Sequence, residues 1–324
     1  MENRTPASGL RDDWKMRGTG FSNSFEMEEA GFADSGCFCV QHPLFPAARC
    51  SIVLADARAF FNKPDELKRA LAIEHSAHFR GYSEMRNERD WREQIHFGGE
   101  EQAAGTRPPY ENLRGPNLWP PDAAWRARTI ALMSDLEVAG RDILAVLAVR
   151  LGLPELQFLS ENEDPYLLLK MILYQVPPSE TPRSGVASHV DFSWITLLLQ
   201  DDTGGPEVRT GSGEWLGVPP QPGRLVVNVG YILEFSSRGR YRATPHRVVN
   251  RSGTRSRVSL PFFLNPGLAS RVEPAPLEAA ADRNADSEHV HRVFQAVPQD
   301  GFVFGEQEWK RKGLGIWCST CTQR

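Results

Sequence analysis

"WITLLLQDDTGGPEVRTGSGEWLGVPPQPGRLVVNVG", residues 194–230, alternates short apolar runs with clusters of Gly, Pro and Asp. Each run is too short for a stable helix, and each is closed by turn-forming residues, so the runs read as strands. The same cadence extends in both directions. Upstream lies "YLLLKMILYQV" (166–176), and downstream come "ATPHRVVN" (243–250) and "RSRVSLPFFL" (255–264). "RLVVNVGYIL" (224–233) reads as one further strand. Many short strands with regular punctuation predict a mainly β fold, a sandwich or barrel such as a jelly roll.

The preceding half has a different texture. Residues 1–30 are polar and look loosely held, and "GCFCVQHPLF" (36–45) suits a short strand. "PAARCSIVLADARAFFNKPDELKRALAI" (46–73) has helical spacing, with Ile52, Leu54, Ala55, Phe60, Leu67 and Leu71 near one stripe and Pro64 opening a second helix. A Pro/Gly-rich connector follows. Residues 123–153 then form the longest amphipathic segment, closed by Gly152 and Pro154. No flexible linker divides the chain. The expected organisation is one domain over 1–324, with an N-terminal helical or mixed part (1–164), a β-core (165–266) and a C-terminal segment (267–324).

Composition excludes several classes of function. The 324 residues carry a net charge of −4, and 31 Arg and 6 Lys are scattered rather than blocked, so no nucleic-acid footprint exists. The start lacks the apolar stretch of a secretory signal, and the greasiest segment carries Lys170, so no membrane span is expected. Five cysteines, an odd number, fit reduced thiols in the cytoplasm. Zinc held between "CFC" (Cys37, Cys39) and "CSTC" (Cys318, Cys321) is the weaker alternative to free thiols.

Within the β-rich half, "GVASHVDFSW" (185–194) sets His189 and Asp191 two positions apart. On an extended segment these side chains leave the same side. Alone, such a pair is commonly just two polar residues at a turn. Here His246 follows 55 positions later, several strands on, as a barrel returning to the same mouth would place it. Two imidazoles and one carboxylate on one face of an ion leave positions open for O2 and a cosubstrate, which suits non-haem Fe(II). A structural zinc site would be closed. Arg257 and Ser259 follow in "RVSL", again two apart. A guanidinium fork plus a hydroxyl grips a carboxylate, as 2-oxoglutarate would require.

The wider sequence resembles the isopenicillin N synthase-like branch of the Fe(II)/2-oxoglutarate dioxygenases. The likeness runs over roughly residues 37–266: "AFFNKPDELKRAL", "FRGYSEMRNERDWREQIHFG", "GPNLWP", the long helix ending "LGLP", "LLLQDDTGGPEV", "GEWLGVPPQPGRLVVNVG", "GRYRATPHRV" and "RVSLPFFLNP". The resemblance implies a distorted double-stranded β-helix with flanking helices. It implies Fe(II) on His189, Asp191 and His246, and 2-oxoglutarate on Arg257 and Ser259 with help from Tyr174. Three departures stand out: Gly230-Tyr231 where the family usually has Gly-Asp, Pro206 where a leucine is common, and a tail beyond residue 268 without a close match. Pro206 is expected to alter a turn only.

The implied reaction is oxidation of a small molecule by hydroxylation, cyclisation or desaturation, with release of succinate and CO2. Two alternatives share the fold: an iron oxidase independent of 2-oxoglutarate, since an RxS pair also serves such enzymes, and an ethylene-forming type, to which "REQIHFG" is similar. A non-catalytic binding protein would lack a ligand, and none is missing. Candidate substrate contacts are Tyr82, Glu84, Met85, Phe192, Trp194, Tyr231 and Phe263. Arg86, Arg89 and Arg92 read as a solvated charged face, and Arg92 with Glu93 as an ion pair. Neither nucleic acid nor membrane is expected as a partner. Cytoplasmic specialised metabolism is the expected setting.

Overall fold

The computed structural model describes residues 26–28, 36–102, 108–160, 162–176, 182–250, 255–280, 294 and 297–313. Its strands are β1 (Glu26–Glu28), β2 (Cys37–Gln41), β3 (Gly81–Arg86), β4 (Trp91–Gly98), β5 (Leu167–Tyr174), β6 (Arg183–His189), β7 (Ile195–Gln200), β8 (Pro206–Arg209), β9 (Trp215–Gly217), β10 (Leu225–Val229), β11 (His246–Asn250), β12 (Arg257–Leu264), β13 (Arg271–Val272) and β14 (Phe302–Val303). The helices are α1 (Ala47–Phe61), α2 (Asp65–Arg69), α3 (Ala123–Arg150), α4 (Tyr231–Ser236) and α5 (Phe304–Gly313).

Two antiparallel sheets form the jelly-roll core. The larger has eight strands in the order β1-β2-β10-β7-β12-β5-β4-β3, and the smaller runs β6-β11-β8-β9. Strands β1 to β4 extend the larger sheet at both edges, so the N-terminal part contributes sheet as well as covering helices.

Side-chain alternation sorts the larger sheet into two faces. On β5, Leu169, Met171 and Leu173 join the main apolar cluster, as do Val258, Leu260, Phe262 and Leu264 of β12. They meet Phe60 and Phe61 of α1 and Leu132, Leu136, Ile143 and Leu147 of α3. Each such burial stabilises the fold by roughly 1.5–3 kcal/mol. The helix α3 starts where Asp122 caps it, the carboxylate accepting from the Trp125 amide at 2.9 Å. It ends before Gly152, whose φ of +72° turns the chain away.

Three sequence expectations need correction here. The α1 stripe is rotated: Cys50, Val53, Ala57, Phe60 and Phe61 are buried, whereas Ile52, Ala55 and Leu67 are exposed. The spacing was helical but mixed, and small Ala57 marks the close-packed side better than Ile52. "RLVVNVGYIL" is a strand only to Val229, after which Tyr231 starts α4. Glu93 pairs not with Arg92 but with Lys68 (2.8 Å), Tyr82 (2.9 Å) and Gln175 (2.9 Å), because successive strand residues point to opposite faces.

Residues 1–25, and the CSTC pair Cys318 and Cys321, lie outside the described residues. Among the described residues, Cys37, Cys39 and Cys50 are not joined in disulfides. Burial and neighbouring Cys39 push the Cys37 thiol up to about 12, which makes it a poor metal ligand.

Candidate metal centre and its cavity

The other face of the eight-stranded sheet lines a cavity of about 1370 Å³. Its rows follow strand register. Arg92, Tyr174 and Arg257 form one row, and Gln94, Ile172 and Ser259 the next. His96, Lys170, Pro261 and Leu198 come third, then Leu168, Phe263, Thr196 and Asn228.

The smaller sheet closes the cavity and delivers the metal-binding set. His189 ends β6, His246 begins β11, and the two are paired across the ladder. Asp191 lies two residues beyond β6 in the turn to β7. One ligand atom from each of these three residues lies within 4.8 Å of the others. His189 Nε2 is 3.5 Å from Asp191 Oδ1, and His246 Nε2 is 3.6 Å from Asp191 Oδ2.

Both imidazoles are set by the same local device. Nδ1 of His189 lies 2.9 Å from the Ala187 carbonyl, and Nδ1 of His246 lies 2.9 Å from the Thr244 carbonyl. A carbonyl only accepts, so Nδ1 carries the proton and Nε2 turns a lone pair inward. Thr196 donates its hydroxyl to Asp191 Oδ2 at 2.6 Å, while buried Oδ1 has no hydrogen-bond partner. A carboxylate faced by two imidazole lone pairs, with one of its oxygens orphaned, is what a divalent ion would satisfy. The site therefore fits iron on an observation of its own.

Electrostatics agree. Burial pushes the Asp191 carboxyl up, but His246, His189 and the Thr196 hydroxyl outweigh it and hold it below the usual carboxylate range. Burial and neighbouring His189 lower His246. An ionised carboxylate beside an imidazole held towards its neutral form is what a metal ion binds.

The turn carrying Asp191 is held by the start of α4. The Gly230 amide donates to the Trp194 carbonyl (3.0 Å), Tyr231 to Asp191 (2.8 Å) and Ile232 to Ser193 (3.1 Å). Gly230 sits so close that an added Cβ would lie 2.1 Å from the Ser193 carbonyl oxygen. The anchoring is by backbone amides, so it does not depend on the tyrosine side chain that departs from the family pattern.

Arg257 is 3 % exposed and lines the same cavity. It donates to Ser259 Oγ (3.1 Å) and to Gln200 Oε1 (3.4 Å), its guanidinium stands 4.8 Å over the Tyr174 ring, and its Nε has no partner. A buried, partly unsatisfied guanidinium beside a hydroxyl has the donors to grip a carboxylate.

The substrate candidates divide. Glu84, Met85 and Phe263 line the cavity. Tyr82 does not; it belongs to the opposite face, with its hydroxyl on Glu93. Phe192 and Tyr231 stack with Phe294 behind the metal turn, and Trp194 packs on Phe158. All three are buried packing residues. Arg86, Arg89 and Arg92 are not simply a solvated face, for all three border the cavity. Pro206 does more than shape a turn: it opens β8 and lines the cavity. Sequence reasoning missed Gln94, His96, Lys170, Thr196, Asn228, Arg311 and Lys312, which also line it. For Lys170 a signal existed, since counting back by twos from Tyr174 reaches it.

Comparison with known proteins bears on the same residues. A profile of the 2OG-Fe(II) oxygenase superfamily matches residues 166–266, and one described as non-haem dioxygenase in morphine synthesis N-terminal matches 27–122. The 2-oxoglutarate-Fe(II) type oxidoreductase hxnY of Emericella nidulans is 34% identical over 231 residues, 66% of this chain and 65% of that protein, just under two thirds of its length. A 2-oxoglutarate-dependent dioxygenase of Gibberella zeae is 33% identical over 261 residues, 72% of this chain and 68% of that one. The crystal structure of a full-length Neurospora crassa protein in complex with alpha-KG and thymine shares the fold at a TM-score of 0.70 and 21% identity, covering 88% of this chain and 89% of that one.

Proposed function

The chain belongs to the 2OG-Fe(II) oxygenase superfamily, and from that premise we propose that His189, Asp191 and His246 hold its ferrous ion while Arg257 and Ser259 grip the distal carboxylate of 2-oxoglutarate. With 2-oxoglutarate and O2, such an ion supplies oxidation of a carbon–hydrogen bond, with succinate and CO2 as co-products. The observation that carries this assignment is the convergence of two inward Nε2 lone pairs on the Asp191 carboxylate, one facing each oxygen, with Oδ1 left without a hydrogen-bond partner.

The protein's own residues perform the positioning. The Ala187 and Thr244 carbonyls fix the imidazole tautomers, and Thr196 and the α4 amides fix the carboxylate. Tyr174 stands under the Arg257 guanidinium and braces it. The apolar wall from Leu168, Ile172, Leu198 and Val226 limits water in the cavity. The substrate is a small molecule admitted past Glu84, Met85 and Arg86, with Phe263 on the inner wall.

We treat residues 1–324 as a single catalytic domain, supported by the N-terminal strands that complete the larger sheet. A place in specialised metabolism is supported by the match to the morphine-synthesis N-terminal profile. A cytoplasmic setting is supported by Cys37, Cys39 and Cys50, which are not joined in disulfides. Among the described residues no helix is long and apolar enough to cross a membrane.

The test is anaerobic titration of the protein with Fe(II) and then 2-oxoglutarate. A weak visible charge-transfer band is expected, absent in Asp191→Ala and weakened in Arg257→Ala. No band in the wild-type protein rejects the assignment.

A further inference from the structure

One wall of the cavity is crowded with cations that neither the ion nor 2-oxoglutarate explains. Arg92 and His96 of β4 and Lys170 of β5 share the face of Tyr174, and His96 and Lys170 are directly opposite in the ladder. From α5, Arg311 and Lys312 reach the same cavity. Eight Lys and Arg side chains line it against four carboxylates, and one of the four, Asp191, belongs to the metal set.

Carboxylates answer part of this charge. Asp90 pairs with Arg92 at 3.3 Å, Glu84 with Arg86 at 2.6 Å, and Glu308 lies within 4.0 Å of Arg311 and Lys312. Yet His96 Nε2 and Arg92 Nε are buried with no hydrogen-bond partner. Lys170 is 8 % exposed, its ammonium 5.0 Å over the Phe263 ring. Burial, Arg92 and Lys312 pull its ammonium down to about 7, and burial with Lys170 pulls His96 well below its ordinary value. Cations outnumber carboxylates along this wall.

The distal carboxylate of the cosubstrate is assigned to Arg257, in another row of the cavity. Lys170 neighbours Pro261 on β12, four residues from Arg257. At strand rise this sets their backbones about 13 Å apart, so the two head groups serve different rows of the cavity.

We propose that Arg92, His96 and Lys170, faced by Arg311 and Lys312, bind a carboxylate on the primary substrate, so that the enzyme oxidises a small organic acid. The inference rests on the iron reading above and specifies what that site acts upon. Lys170 and the Phe263 ring form the centre, a charge donor beside an apolar plate. A cationic substrate would be repelled there, and a neutral one would leave the buried donors unsatisfied.

The test is calorimetric titration of the protein loaded anaerobically with Fe(II) and 2-oxoglutarate. The probes are acid–amide pairs: benzoate and benzamide, 3-phenylpropanoate and its amide, hexanoate and hexanamide. At least one acid is expected to bind about tenfold or more tighter than its amide, the scale of one charge-assisted hydrogen bond. Lys170→Met should erase that preference and Lys170→Arg should restore it, with the Fe(II)–2-oxoglutarate band unchanged in both. Arg92→Gln, a milder change near the mouth, should reduce the preference severalfold and serves if Lys170→Met does not fold. Equal binding of acids and amides, no binding by any pair, or a preference that survives Lys170→Met overturns the proposal. Acid preference without the visible band would instead reject the iron reading while leaving the acid site standing.

Discussion

The two faces of the eight-stranded sheet come from the same strands and do opposite work. On the back, Leu169, Met171 and Leu173 of β5 and Val258, Leu260, Phe262 and Leu264 of β12 pack on α1 and α3. On the front, Lys170 and Tyr174, then Arg257 and Ser259, face an open cavity with polar groups that packing alone would not select. On the back, the buried carboxylate of Glu93 is satisfied by three donors. The front leaves Asp191 Oδ1, Arg257 Nε and His96 Nε2 without partners. A single step along a strand therefore separates a residue that holds the fold from one that awaits a ligand.

Substitutions can break that contrast, and the largest effect belongs to the metal turn. Asp191→Ala should abolish Fe(II) retention and turnover while circular dichroism stays native, checked by metal analysis of the purified variant. Next comes an adjacent pair on β12. Phe262→Ala, on the back, should cost about 3–5 kcal/mol of stability in denaturant unfolding. Phe263→Ala, on the front, should cost well under half of that, because its ring borders a space already open. Equal losses would collapse the distinction between the faces.

Arg257→Ala should raise the KM for 2-oxoglutarate by about 10- to 100-fold, the scale of lost charge-assisted hydrogen bonds. Fe(II) affinity should change little, and an equal loss of both would contradict the assigned role. A pH slope is expected as well. Folded Lys170 titrates near 7 against 10.5 ordinarily, so between these values the unfolded chain holds more protons. Stability should therefore rise with pH across that window, by at most about 1.4 kcal/mol per unit from this group. Lys170→Met should flatten the rise, measured as the difference between the two proteins' unfolding midpoints at pH 7 and pH 10.

Much of the front face was legible because metal and carboxylate chemistry leave residue types that packing does not call for. His189, Asp191, His246, Arg257 and Ser259 carry that signature in order and spacing, and strand alternation could have added Lys170. The aromatic candidates failed for a physical reason. A Phe or Trp is as much at home in a core as in a pocket, so Phe192, Trp194 and Tyr231 gave no sign of which way they turn. Tyr82 was misplaced by one step of parity. The α1 stripe failed similarly, since a short helix with apolar residues on several sides does not declare its buried side. Lys312 and Arg311 were out of reach, because only the path of the chain after β13 brings α5 to the cavity.

Orientation of the two imidazoles relies on the Ala187 and Thr244 carbonyls, atoms that every amino acid possesses. Replacing the side chain at 187 or 244 leaves those acceptors in place. The residues flanking each ligand are thereby released to drift, and the rim of the reaction chamber can be remodelled for new chemistry while its geometry at the centre is inherited intact.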